Sequence, residues 1–213
     1  SLFQLYDWWQ RSTGEPLATR TPHTLASMPH LIHSIVPTLD RLAPTGDHAR
    51  DSTAALFDYH REYLLVLTAL FPDDPLSGIA ATLLDKSSLP QMKNTFMYYV
   101  DFLYAQPHLK RRPLTELSTT YWAPGTGQLM MRSSWEPDAT YANFICGPYT
   151  ESHAHRDQGS FVIYKGGWLA LDANLYSHSG IEQEEELHNL VRFEGGPQRI
   201  RQRPGTACRL MAL

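Results

Sequence analysis

Cysteine is scarce in this sequence: only Cys146 and Cys208 are present, which excludes a disulfide framework and a paired CxxC metal knot. One bridge and two free thiols fit that count equally, so the redox compartment stays open. No run of 18 apolar residues occurs, so no segment is built to cross a membrane as a helix. Basic excess is missing too. Lys and Arg total 18 against 22 Asp and Glu, a formal net charge of -4, which argues against a general nucleic-acid binder. The N-terminus lacks the charged-then-apolar pattern of a signal peptide. It starts at Ser1, without an initiating Met, directly in a helical pattern, and so reads as a piece of something longer. What is there is 213 residues, 42% hydrophobic and 11% aromatic, enough to bury one large core or two smaller ones.

Up to about residue 107 the apolar spacing is helical, with breakers between the periodic segments. Leu2, Leu5, Tyr6 and Trp9 share one helix face that Ser12 to Pro16 terminates. Leu25, Met28, Ile32, Ile35, Val36 and Leu39 predict a second helix, kinked or started late by Pro29 and Pro37. A third is expected over Ser52 to Phe71, capped by Asp51 or Ser52, with Leu56, Tyr59, Tyr63, Val66, Leu67 and Leu70 inward. Shorter helices follow over Pro75 to Lys86 and Pro90 to Ala105, the latter burying Met92, Phe96, Tyr99, Val100 and Leu103.

The character changes at Gln106 to Glu116, a polar, basic, proline-containing stretch with the composition of a linker. The expected organisation is a helical domain over 1–107, a linker over 108–117 and a β domain over 118–213. In the last, segments rich in Thr, Tyr, Trp, Phe, Val and Ile alternate with Gly and Pro. They predict antiparallel strands at 118–122, 127–134, 140–146, 159–164 and 168–172, with a further one at 187–193. Helices first and strands afterwards make an α+β chain rather than alternating βαβ units.

Chemically capable side chains concentrate in Tyr149 to Asn189. His153 and His155 are two apart, so an extended backbone points them the same way, with Asp157 following. Imidazoles and carboxylates are ligands that Zn²⁺ prefers, and His155, Asp172 and His188 make a His₂Asp set from three separated points. Lys165-Gly166-Gly167 forms a hairpin turn pairing the two flanking strands. Extending that ladder puts Asp172 opposite Ser160 or Phe161, away from His155. A shared metal therefore requires a loop at 153–158, with Gly159 allowing the chain to bend back. Each residue also has an ordinary reading: a His-x-His on a loop is solvated, Asp172 accepts from turn amides, and His188 is an edge residue. The helical half's six histidines, His23, His30, His33, His48, His60 and His108, lack a supporting carboxylate pattern and read as surface or satisfied core residues. Glu182, Glu184, Glu185 and Glu186 read as a solvated acidic loop.

His153-Ala154-His155-Arg156-Asp157-Gln158 resembles the H-x-H-x-D-H signature of metallo-β-lactamase-type hydrolases. Gln158 stands where that signature has its last histidine, a ligand of the second metal, and that fold alternates sheets and helices. The stretch as a whole better resembles the heparinase II/III-like family of polysaccharide lyases. The resemblance rests on Ser152-His153-Ala154-His155-Arg156-Asp157-Gln158-Gly159-Ser160-Phe161, the Gly-turn hairpin, Asp172-Ala173-Asn174-Leu175-Tyr176 and His188-Asn189, in that order and approximate spacing.

The resemblance implies an N-terminal α/α toroid portion followed by an antiparallel β-sandwich portion. It also implies β-elimination on an acidic, uronate-containing polysaccharide, and a periplasmic or secreted location. His153 becomes the catalytic candidate, with Tyr176 in the loop after Asp172 as a second. His155, Asp172 and His188 become ligands of a largely structural Zn²⁺. The family's principal catalytic tyrosine, and the Asn or His that neutralises the substrate carboxylate, come from toroid helices before the point where this chain starts. Little or no lyase activity is therefore expected of the isolated chain. A zinc hydrolase and a non-catalytic glycan-binding module are the alternatives.

Overall fold

In the computed structural model, residues 1–46, 55–148, 155–171, 185–191, 193–195, 198–199, 202–203 and 205–212 are described. They divide into a helical unit, Ser1–Ile35 with Leu56–Ser118, and a sheet unit, Val36–Ala55 with Thr119–Leu213. Among the described residues no helix is long and apolar enough to cross a membrane.

In the helical unit, α1 spans Leu2–Thr13. Ser1 caps it by accepting from Gln4 N, and Gly14 closes it in the left-handed region at φ 78°, donating to Gln10 O at 2.8 Å. Its buried face is Phe3, Gln4 and Asp7, whereas Leu2, Leu5 and Trp9 of the expected stripe are exposed. Tertiary partners decide this rotation. The Phe3 ring packs edge-on against Tyr63, with centroids 5.0 Å apart, and the Tyr104 hydroxyl donates to Asp7 at 3.0 Å.

α2 spans His23–Ser34 with Pro29 inside it, and it ends five residues before the expected Leu39. Pro37 disfavours a helical conformation at Val36, and Ile35 is already extended at ψ 132°. α3 is Asp58–Leu70. It starts later than its predicted Ser52, since Ala55 forms a β-bridge with Arg41. The Asp58 carboxylate accepts from Lys93 N at 2.8 Å and Asn94 N at 2.7 Å, which fixes the helix start against the backbone of residues 93 and 94. Tyr59, expected inside, is exposed, while Leu64, Leu65, Val66 and Leu67 are buried.

α4 is Pro75–Lys86, with the predicted bounds: Asp74 accepts from Leu76 N at 2.8 Å and Pro75 occupies the first turn, where its missing N–H costs nothing. The single helix expected over 90–105 is instead a 3-10 turn, Thr95–Met97, followed by α5, Tyr98–Tyr104. Over this stretch Met92, Met97, Val100 and Tyr104 are buried, whereas Phe96, Tyr99 and Leu103, expected inside, face outward. The Asp101 carboxylate sets that rotation by accepting from Arg61 Nε and from Met92 N, each at 2.7 Å. Residues 108–117, expected as a linker, lie along α4. Arg112 N donates to Gly78 O at 3.2 Å, and Arg111 pairs with Asp85 at 2.8 Å.

The sheet unit holds a five-stranded antiparallel meander, β1 Thr120–Ala123, β2 Gln128–Arg132, β3 Tyr141–Ile145, β4 Phe161–Tyr164 and β5 Trp168–Ala170, in spatial order β1-β2-β3-β4-β5. Alternation holds where it is tested best: Tyr141, Asn143 and Ile145 of β3 are buried and their intervening neighbours are half-buried. Val36 and Ala43 pack with Met130, Tyr141, Val162 and Tyr164 into the buried core of this unit. Thus the stretch after α2, expected to continue a helix, covers the sheet instead. A turn holds it, with Val36 N donating to Arg41 O at 3.1 Å and Leu39 N to Val36 O at 3.0 Å. The fold is therefore α+β, with helices and an antiparallel sheet in separate units.

A short ladder pairs β6 Glu194–Gly195 with β7 Gln198–Arg199. The strand expected over 187–193 is replaced by a 3-10 turn, Glu185–Leu187, followed by bends. Glu185, placed by its sequence neighbours in a solvated acidic run, is buried. Cys146 and Cys208 form a disulfide, with Cα atoms 5.3 Å apart. This resolves the choice between one bridge and two thiols.

Candidate functional site

β3 ends at Ile145 and β4 begins at Phe161, and the returning chain between them carries His155. Of the loop expected at 153–158, residues 153 and 154 lie outside the described residues, and 155–160 have neither helix nor strand. His155 and Asp157 are buried and Arg156 is half-buried. The loop then turns into β4. Ser160 N donates to Asp157 O at 2.8 Å, and Gly159, at φ 88°, donates to Ile145 O at 2.7 Å. A left-handed backbone at that point is what glycine supplies without steric penalty.

His188 reaches the same place from the other side of the hairpin. The 3-10 turn at Glu185–Leu187 is closed by His188 N donating to Glu185 O at 3.4 Å. Asn189 next to it locks onto the start of β4: its side-chain Nδ2 donates to Phe161 O at 3.0 Å, and Phe161 N donates to Asn189 O at 3.3 Å. The two imidazoles end up beside one another, with ring centroids 5.1 Å apart and planes inclined by 43°. Both are buried, His155 at 1% exposure and His188 at 8%.

Of the residues singled out from sequence, His155 and His188 are thus brought together. His153, Asp172 and Tyr176 lie outside the described residues. The β4–β5 register pairs Ile163 with Ala170 and Tyr164 with Trp168, with an irregularity between those pairs. Among the described residues no group of three or more His, Cys, Asp or Glu side chains converges.

In the sequence Gln158 stands out only as a departure from a hydrolase signature. In the structure it is a hub: its Nε2 donates to Gly147 O at 2.8 Å and to Thr206 O, and its Oε1 accepts from the Thr206 hydroxyl at 3.0 Å. Gln202 and Glu185 join the same network. No periodicity or motif marks Gln202, because its importance depends on where the C-terminal segment returns.

Solved structures supply a likeness for the fold. The chain superposes on a crystal structure of heparinase III with a TM-score of 0.54 and 16% identity, over 94% of this chain and 30% of that one. It also superposes on another gene product described as a heparinase III, with a TM-score of 0.50 and 18% identity, over 78% of this chain and 23% of that one. Its fold resembles part of heparinase III. The likeness is one of fold, and the chain spans less than a third of the length of either heparinase III structure. No protein-family model matches the chain, and no curated protein matches its sequence.

Proposed function

We propose that this chain is a portion of a polysaccharide lyase that cleaves uronate-containing glycans by β-elimination. The helical unit is read as part of an α/α toroid and the sheet unit as part of an antiparallel sandwich. The observation that carries the reading is the buried pairing of His155 with His188, on a fold that resembles part of heparinase III.

The donor chemistry fits Zn²⁺. Two imidazoles on one tetrahedral ion, with Zn–N bonds of about 2.0–2.1 Å, place their ring centroids roughly 5 Å apart. The separation of 5.1 Å between His155 and His188 agrees with that, although the third proposed ligand, Asp172, lies outside the described residues. When bound, the ion supplies a structural staple between the loop of His155, the end of the hairpin and the turn of His188.

His153 is proposed to act at substrate two positions before the ligand His155. Elimination removes the proton at C5 of the uronate, acidic because it lies α to the carboxylate, and expels the O4 leaving group, which must be protonated. An imidazole with a pKa near neutrality is suited to either proton transfer. Tyr176 is proposed to face the same cleft. The carboxylate charge that builds up needs donors already aimed at it, and these are assigned to a part of the longer protein outside this chain. An exported location goes with this reading, and the Cys146–Cys208 bridge supports it, since such bonds persist in oxidising compartments.

The hydrolase alternative is disfavoured at Gln158, whose amide is committed to Gly147 O and Thr206 rather than available as a ligand. The test is incubation of the full-length protein with a panel of uronate polymers, reading the absorbance of unsaturated uronate ends. Product formation that His153→Ala abolishes supports the lyase reading. A full-length protein that binds a polymer without turnover leaves a glycan-binding module instead.

A further inference from the structure

The segment that carries His155 and the one that carries His188 are both held by one residue of the C-terminal segment. Gln202 Oε1 accepts from Gln158 N at 3.0 Å and its Nε2 donates to Gln158 O at 2.9 Å, so one side-chain amide reads both polar groups of a single peptide residue. The backbone N–H of Gln202 donates to the Glu185 carboxylate. Gln158 sits in the loop of His155, and Glu185 opens the turn whose carbonyl accepts from His188 N. Gln202 therefore touches the loop of one imidazole and the turn of the other.

Its own segment is anchored further on. Thr206 bonds the Gln158 side chain, Cys208 N donates to Cys146 O at 2.9 Å, and the Cys146–Cys208 bridge ties the segment to the residue after β3. An amide suits the position because it carries an acceptor and a donor on one planar group. A carboxylate keeps only the acceptor and a leucine keeps neither.

We propose that Gln202, anchored by the Cys146–Cys208 disulfide, is a positioning residue that sets the spacing of His155 and His188 by bonding at once to the loop of one and the turn of the other. The functional consequence, tighter zinc binding, rests on the metal reading above; the spacing role does not. Residues that orient metal ligands from outside the coordination sphere change affinity by about 10–100-fold when replaced.

The experiment uses isotope-labelled protein prepared without metal, in which the cross-relaxation between the His155 and His188 rings is measured by NMR, followed by a zinc titration against a competing chelator. The variants are Gln202→Leu, Gln202→Glu and the double Cys146→Ser/Cys208→Ser. Val162→Ala, in the sheet core, serves as a control for general destabilisation. Gln202→Leu is expected to weaken the ring-to-ring signal at least about 2-fold and zinc affinity about 10–100-fold. Gln202→Glu should fall between it and the parent, the disulfide variant should move in the same direction, and Val162→Ala should leave the ring signal in place. Should Gln202→Leu fail to fold, Gln202→Glu and the reduced parent protein carry the same comparison. Unchanged ring signals in all Gln202 variants overturn the proposal. If the parent binds no zinc yet its ring signal depends on Gln202, the spacing role stands and the metal reading falls. Zinc binding that is indifferent to Gln202, with an unchanged ring signal, removes the spacing role and keeps the metal reading.

Discussion

His155 and His188 lie side by side within the sheet unit, ring centroids 5.1 Å apart, although one precedes the β4–β5 hairpin and the other follows it. The hairpin closes through Lys165 N donating to Gly167 O at 2.8 Å, and Asn189 is bonded to the first residue of β4. The pair therefore depends on a loop and a turn being clipped to one strand start rather than on adjacency in sequence.

Substitution at His155 or His188, set against substitution at His153, separates the proposed metal role from the proposed catalytic one. His155→Ala or His188→Ala is expected to reduce bound zinc from about one equivalent to near none and to lower the melting temperature, since binding to the native state alone adds stability. His153→Ala should retain the zinc and lose turnover in the full-length protein. Metal analysis after exhaustive dialysis, alongside a thermal melt, distinguishes them.

The disulfide closes a stretch with a sequence separation of 62. In the chain-entropy view a loop of that size is worth up to about 4 kcal/mol. The double Cys146→Ser/Cys208→Ser variant should lose stability on that scale in urea unfolding, with the loss in the sheet unit. Hydrogen exchange resolved by residue should show the opening centred on 155–160 and 202–208.

Two glycines where β2 meets β3 leave no room for a side chain. A Cβ on Gly147 would stand 1.9 Å from Thr126 O, and one on Gly127, whose φ is 63°, would stand 2.3 Å from Gly147 Cα. Both contacts are with backbone, which cannot swing aside. Gly147→Ala is expected to cost more than about 3 kcal/mol or to prevent folding. Gly166→Ala in the hairpin turn meets open space and should cost only the left-handed penalty of about 1–2 kcal/mol. Equilibrium denaturation of the two variants checks the contrast.

Arg132 is buried on the sheet with its guanidinium 3.8 Å from the centre of the Trp135 ring. Burial pushes its pKa down to about 10, so it remains a cation at neutral pH, with the Trp135 face and, at 5.3 Å, the Tyr141 ring beside it. Trp135→Leu should destabilise the protein, and a double-mutant cycle with Arg132→Met should return a coupling of about 1–2 kcal/mol.

His30 in α2 supplies a pH dependence. Burial holds its imidazole below the ordinary 6.5. The unfolded chain then takes up a proton first as pH falls, so stability drops as pH goes below 6.5 and levels off once the folded value is passed. His30→Gln should flatten that slope between pH 7 and 5 in melts at matched ionic strength. An unchanged slope would assign it to other groups.

Periodicity marked helices and strands well but did not say which side of a helix meets the core. On α1 the apolar stripe lost to Gln4 and Asp7, because Asp7 had the Tyr104 hydroxyl and Arg11 as partners and Gln4 had the Tyr99 hydroxyl at 3.4 Å. A buried polar residue with its bonds made is no worse placed than an exposed leucine. The same holds at α5, rotated by Asp101, and at Glu185, buried where Gln202 N donates to it. By contrast α4 was legible to the residue, because Asp74 and Pro75 act within one turn of the start they define.

The sequence by itself determined the order of helices before strands, the Lys165-Gly166-Gly167 turn, and a supply of imidazoles and carboxylates around it. These follow from capping, β-propensity and turn chemistry, which act over a few residues. The disulfide pairing, the return of residues 36–46 onto the sheet, the meeting of His155 with His188 and the reach of Gln202 to both were decided by the tertiary structure. Such contacts join residues distant along the chain, and their distances are set by strand register and packing, which no local pattern encodes.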